Sequence, residues 1–137
     1  MIEDLTLDGP LVAVSLYEYI FEEVALLMPP MDTLAVIDTA APYTLLQEGI
    51  ATSLGFTPIE TVNITTVSMR VYESYRYHMW LKFPEGNVLE VSVIEVPYML
   101  HPDARVKCKI GRDILRYGVL LYSGCANPFS FDLKVEQ

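Results

Sequence analysis

At 137 residues the chain fits one compact domain, and with 52% hydrophobic and 20% charged residues it reads as globular rather than disordered or low-complexity. Its longest uninterrupted apolar stretch, residues 24–31, contains two prolines and falls far short of the roughly 20 residues needed to span a bilayer. A net charge of −9 repels phosphate backbones and argues against a nucleic-acid partner. The acidic start Met1-Ile2-Glu3-Asp4 lacks the form of a secretory signal, so a cytoplasmic setting with no membrane association is expected.

After Gly9-Pro10, residues 11–17 have the β-branched content and length of a strand. Leu16, Ile20, Val24, Leu27 and Met28 then recur at helical spacing around Glu18, Glu22 and Glu23, which predicts a short helix stopped by Pro29-Pro30. Residues 34–37 form a short apolar strand that runs into the turn-forming cluster Asp38-Thr39-Ala40-Ala41-Pro42, so Asp38 sits at a strand end. Leu45, Leu46, Ile50 and Leu54 predict a helix over 43–54, with Gly55 in the place of a C-terminal cap.

Residues 61–66 alternate in polarity, and Tyr75, Tyr77, Met79, Leu81 and Phe83 line one face of a second strand, so a hairpin is expected with Val67, Ser68 and Met69 near its tip. Pro84-Glu85-Gly86-Asn87 is a turn, and 88–96 is a strand rich in Val and Ile. Residues 110–115 open a short helix, after which 119–122 and 129–133 read as two closing strands. No repeat or linker divides the chain, and residues 1–137 read as a single, mostly β domain with two or three short helices.

Charge is unevenly distributed. Residues 1–60 carry ten acidic and no basic side chains, whereas 61–137 carry eight acidic and nine basic ones. Five of those bases, Arg105, Lys107, Lys109, Arg112 and Arg116, fall within twelve positions; a solvated face, or a complement to the acidic half, explains them better than a nucleic-acid patch. Cys108 and Cys125 lack metal-site spacing, and His78 and His101 stand alone, so neither a metal nor a cofactor is expected.

Nucleotide-binding glycine loops, the serine-hydrolase elbow and zinc-protease helices are all missing from the sequence. What remains is Asp38. An apolar strand delivering Asp, then a hydroxyl residue, then two small residues is the arrangement an aspartic peptidase needs, because close backbone approach lets amides hold the carboxylate. Asp32-Thr33 is a second such pair, but it lacks the apolar lead-in and is followed by Leu34, so a solvated loop is expected there.

Residues 35–41 (Ala-Val-Ile-Asp-Thr-Ala-Ala) resemble the apolar-Asp-Thr/Ser-Gly-Ala segment of the retropepsin-like aspartic proteases, particularly their bacterial single-domain members. Residues 109–115 (Lys-Ile-Gly-Arg-Asp-Ile-Leu) resemble the family's second signature, Leu-Ile-Gly-Arg-Asp-Val/Ile-Leu, and the resemblance extends from about residue 8 to residue 133. It implies a closed acid-protease barrel with a flap hairpin, in which Val67, Ser68 and Met69 contact substrate. It further implies a homodimer, in which one Asp38 from each chain shares a proton to activate water on a peptide or protein substrate. Thr39, Ala40 and Ala41 would support the active-site loop, with Thr39 bracing the pair across the interface, and Gly111, Arg112 and Asp113 would tie the following helix to that loop.

Two positions depart from the pattern. Ala40 replaces the family glycine, removing easy access to positive φ. Pro42 stands where viral relatives often place an acidic partner for the arginine, so that tie must be made differently. The alternative expectation is a retropepsin-like dimer without catalysis, acting as a protein-binding or scaffolding module. The flap segment 66–70 lacks the usual glycine, so a stiffer or non-closing flap is expected.

Overall fold

The computed structural model describes residues 8–19, 30–123 and 129–134. The strands are β1 (Leu11–Glu18), β2 (Met31–Ile37), β3 (Leu45–Gln47), β4 (Glu60–Thr65), β5 (Val71–Lys82), β6 (Val88–Val96), β7 (Val106–Ile110), β8 (Gly118–Tyr122) and β9 (Phe129–Leu133). Among the described residues two complete single-turn helices, α1 (Ile50–Ser53) and α2 (Arg112–Leu115), accompany them. No helix among the described residues is long and apolar enough to cross a membrane.

Seven strands make one sheet in the order β1-β2-β7-β3-β6-β5-β4, and a further pairing of β1 with β5 closes six of them into a barrel. Closure depends on the length of β5. Its second half pairs with β1 from Met79 to Lys82, while its first half pairs with β4 from Val71 to Arg76. Burial follows that division: Tyr77, Met79, Leu81 and Phe83 are buried, whereas Val71 and Tyr75 are exposed. The β4–β5 arm thus projects from the barrel as a hairpin. Inside the ring, Leu16, Leu46, Leu81, Val93 and Ile110 are fully buried, and each such side chain contributes about 1.5–3 kcal/mol of burial free energy.

The site depends on how β7 is threaded. Strands β2 and β3 follow one another in sequence, yet β7 lies between them, parallel to β2 and antiparallel to β3. The connection 38–44 must therefore cross the end of β7, which brings the first sequence signature onto the second.

Several sequence expectations are corrected. The helical spacing over 43–54 is only half realised: Leu45–Gln47 is strand β3, held on one side by β6 and on the other by β7, and helix begins at Ile50. Pairing on both edges overrides a local helical pattern. The expected helix after Leu16 starts too early, since Leu16 and Glu18 belong to β1 and pair with β5; its remaining positions, 20–28, lie outside the described residues. Asp32 and Thr33 are in strand β2, with Ser15 donating a 2.6 Å hydrogen bond to Asp32 Oδ1, so they are not a loop. Strand β7 itself was hidden in the basic cluster.

The closing strands β8 and β9 form their own two-stranded sheet. Phe131 anchors it, with its ring centroid 5.6 Å from that of Phe83 in the barrel core.

Candidate functional site

Asp38 leaves the end of β2 with its N–H donating to the Ile110 carbonyl at 2.9 Å, which extends the β2–β7 ladder by one residue. The chain then turns: Ala41 N–H donates to the Asp38 carbonyl at 3.2 Å, and Ala40 N–H donates to Asp38 Oδ1 at 2.9 Å. That last bond needs a close-lying amide, which the small residues after Thr39 provide. Ala40 stays out of the left-handed region, since Met69 is the one described non-glycine residue with positive φ. The methyl group is therefore accommodated without backbone strain, and Ala40 itself is exposed. The other carboxylate oxygen, Oδ2, lies 3.4 Å from Lys109 Nζ, with both side chains partly exposed.

The second signature clamps this loop from beneath. Arg112 donates from its backbone N–H to the Ala41 carbonyl at 2.8 Å and from Nη1 to the Thr39 carbonyl at 3.2 Å. The arginine thus binds backbone, which is how the tie is made with Pro42 in the acidic position. Asp113 accepts the Thr44 N–H at 3.0 Å and the Thr44 hydroxyl at 2.8 Å, and the same hydroxyl oxygen accepts Gly111 N–H at 3.2 Å. Gly111 has an extended backbone that any residue can adopt. Its glycine is required by proximity, because a Cβ there would sit 2.5 Å from the Tyr43 carbonyl oxygen and 2.8 Å from that of Ala41.

Asp38, Thr39, Ala40 and Ala41 are thus brought together with Gly111, Arg112 and Asp113. Thr44 and Lys109 complete the cluster. Thr44 offered no signal beyond its distance from Asp38, while Lys109 was legible as a member of the basic cluster and as the first residue of the second signature, not as a neighbour of the carboxylate.

Val67, Ser68 and Met69 occupy the tip of the β4–β5 hairpin. Thr66 N–H donates to the Arg70 carbonyl and Met69 N–H to the Thr66 carbonyl, both at 2.9 Å, a three-residue loop whose last position is left-handed. Met69 fills the place glycine usually takes, with φ of 65°. Val67 and Ser68 line a cavity of about 460 Å³ shared with Tyr72, Pro97 and Tyr98.

The basic cluster is dispersed among separate partners: Arg105 pairs with Asp103, Lys109 with Asp38, Arg112 with the Thr39 carbonyl, and Arg116 lies over the Tyr117 ring. Burial pushes the Cys108 thiol, directly beneath this site in β7, up to about 12. Among the described residues no group of His, Cys, Asp and Glu is placed to hold a metal ion.

No protein-family model and no curated protein sequence matches the chain. Among solved structures it is similar to the solution structure of Simian Foamy Virus (mac) protease, with a TM-score of 0.50 over 79% of this chain and 93% of that one, at 17% sequence identity. At that identity the likeness is one of fold. The chain is a mostly β protein with the retropepsin-like barrel of a retroviral protease.

Proposed function

We propose that this protein is an aspartic endopeptidase of retropepsin type, active as a symmetric homodimer in which each chain contributes one Asp38. The observation that carries the reading is the loop itself: a carboxylate at a strand end, one oxygen held by the Ala40 amide, over a Gly-Arg-Asp clamp that fixes the backbone on either side. One chain supplies one such carboxylate, so a two-carboxylate site needs two chains. Like charges held close together share a proton. The ionised member takes a proton from water as the water oxygen attacks the peptide carbonyl carbon, and the protonated member gives its proton to the carbonyl oxygen. Collapse of the resulting gem-diol breaks the C–N bond, with a proton passing to the leaving nitrogen. Thr39, exposed beside the carboxylate, braces the pair, and the flap tip at Val67, Ser68 and Met69 covers an extended peptide.

Cleavage of an unbiased peptide pool by the purified protein, with Asp38→Asn as control, tests this. The expected result is cleavage by the wild type, none by Asp38→Asn, and a dimer by sedimentation for both. A dimer that folds, binds peptides and cuts none would transfer the reading to a protein-binding module.

A further inference from the structure

We propose that Lys109 sets the substrate class of this site by pairing with an acidic side chain next to the bond that is cut; the inference rests on the peptidase reading above. Lys109 lies in β7 between Val36 of β2 and Leu45 of β3, its register partners, so its stem runs between apolar neighbours. Its ammonium emerges 3.4 Å from Asp38 Oδ2 and remains partly exposed, as does the carboxylate. It is therefore on the surface that a peptide would cover.

Distance makes the assignment. A water activated by Asp38, or the carbonyl that this water attacks, lies about 3 Å from the carboxylate oxygens. An ammonium 3.4 Å from the same carboxylate is then within reach of the side chains flanking that carbonyl. Covering Lys109 with an apolar side chain removes its water and leaves it dependent on Asp38 alone, and a buried cation without a good partner is costly. That dependence fails in the dimer, because the Asp38 pair shares one proton and one of the two Lys109 side chains always faces a neutral carboxyl. An aspartate or glutamate of the substrate keeps the ammonium paired through the step and adds a charge-assisted hydrogen bond.

The chain's net charge of −9 opposes an acidic peptide at long range. Beyond about 8 Å, however, physiological salt screens such repulsion, while a contact pair in a covered site is screened far less. The local cation therefore decides the preference and the global charge only slows approach.

Leu at position 109 would meet Val36 and Leu45, so Lys109→Leu is expected to fold; Lys109→Gln is a second variant with the stem kept. The test compares octapeptides carrying Glu or Gln at the positions flanking the cleaved bond, chosen from the wild-type cleavage profile. Wild type is expected to favour Glu by on the order of tenfold in kcat/KM, both variants to lose that preference, and Lys109→Arg to retain it. An equal preference in wild type and variants, or a wild-type preference for Gln, overturns the proposal while leaving the peptidase reading intact. If wild type cleaves no peptide in the pool, the peptidase reading falls instead, and fluorescence anisotropy with randomised octapeptide pools enriched in Glu or in Gln decides Lys109. Tighter Glu binding that Lys109→Leu removes supports the assignment; equal binding, or none, overturns it.

Discussion

Met69 is the one described non-glycine residue with a left-handed backbone. The loop type calls for that conformation, and an L-residue there costs roughly 1–2 kcal/mol relative to glycine. Met69 is largely exposed, so truncation removes little packing. Met69→Gly should raise stability by about 1 kcal/mol, read as a higher urea midpoint at unchanged slope. Ala40 is the reverse case. Having no positive φ to relieve, Ala40→Gly should instead lower stability by up to about 1 kcal/mol through the entropy of the unfolded chain. The same measurement checks it. The sequence carried the identity of both residues but not their dihedral angles, because a turn's φ is set by the hydrogen bonds around it.

At the scale of elements, alternation and β-branched content made β1, β4, β5, β6, β8 and β9 legible, and Ile37-Asp38 placed the candidate carboxylate at a strand end. Two elements escaped. Val106, Cys108 and Ile110 alternate with Lys107 and Lys109 in a perfect period of two, yet the lysines read as part of a charge cluster. Leu45 and Leu46 fit helical spacing, and only their partners, far away in sequence, make them strand. Both misses surround the crossing of 38–44 over β7, which no local pattern announces. Gly111 measures how tight that crossing is. Gly111→Ala forces a Cβ against two backbone carbonyls, which cannot rotate away, and should cost about 3 kcal/mol or more in urea unfolding. Asp38→Asn, which keeps an oxygen to accept the Ala40 amide but gives up the Lys109 ion pair, should cost far less in the same measurement.

For the whole molecule, two buried protons link stability to pH. The Cys108 thiol is raised from 9.0 to about 12 by burial and by the nearby Asp113 charge, and burial raises Tyr77 above 10.0 as well. The folded state keeps both protons where the unfolded chain gives them up. The Cys108 contribution is complete below about pH 9 and is lost as pH rises towards 12, while that of Tyr77 starts to be lost only above its ordinary value of 10.0. Melting temperatures should therefore fall progressively above about pH 9, with Cys108→Ala blunting the onset. In a Cys125→Ser background, thiol labelling at neutral pH should proceed only as fast as the barrel opens. The threading of β7 has a further consequence during synthesis. Until residue 110 has left the ribosome, β2 and β3 flank an empty slot, and the Asp38 loop has nothing to cross. Parallel, non-local pairing of this kind forms slowly. A nascent or truncated chain ending before residue 113 would carry the carboxylate without its clamp, so whatever this site does begins only once residue 113 has been made.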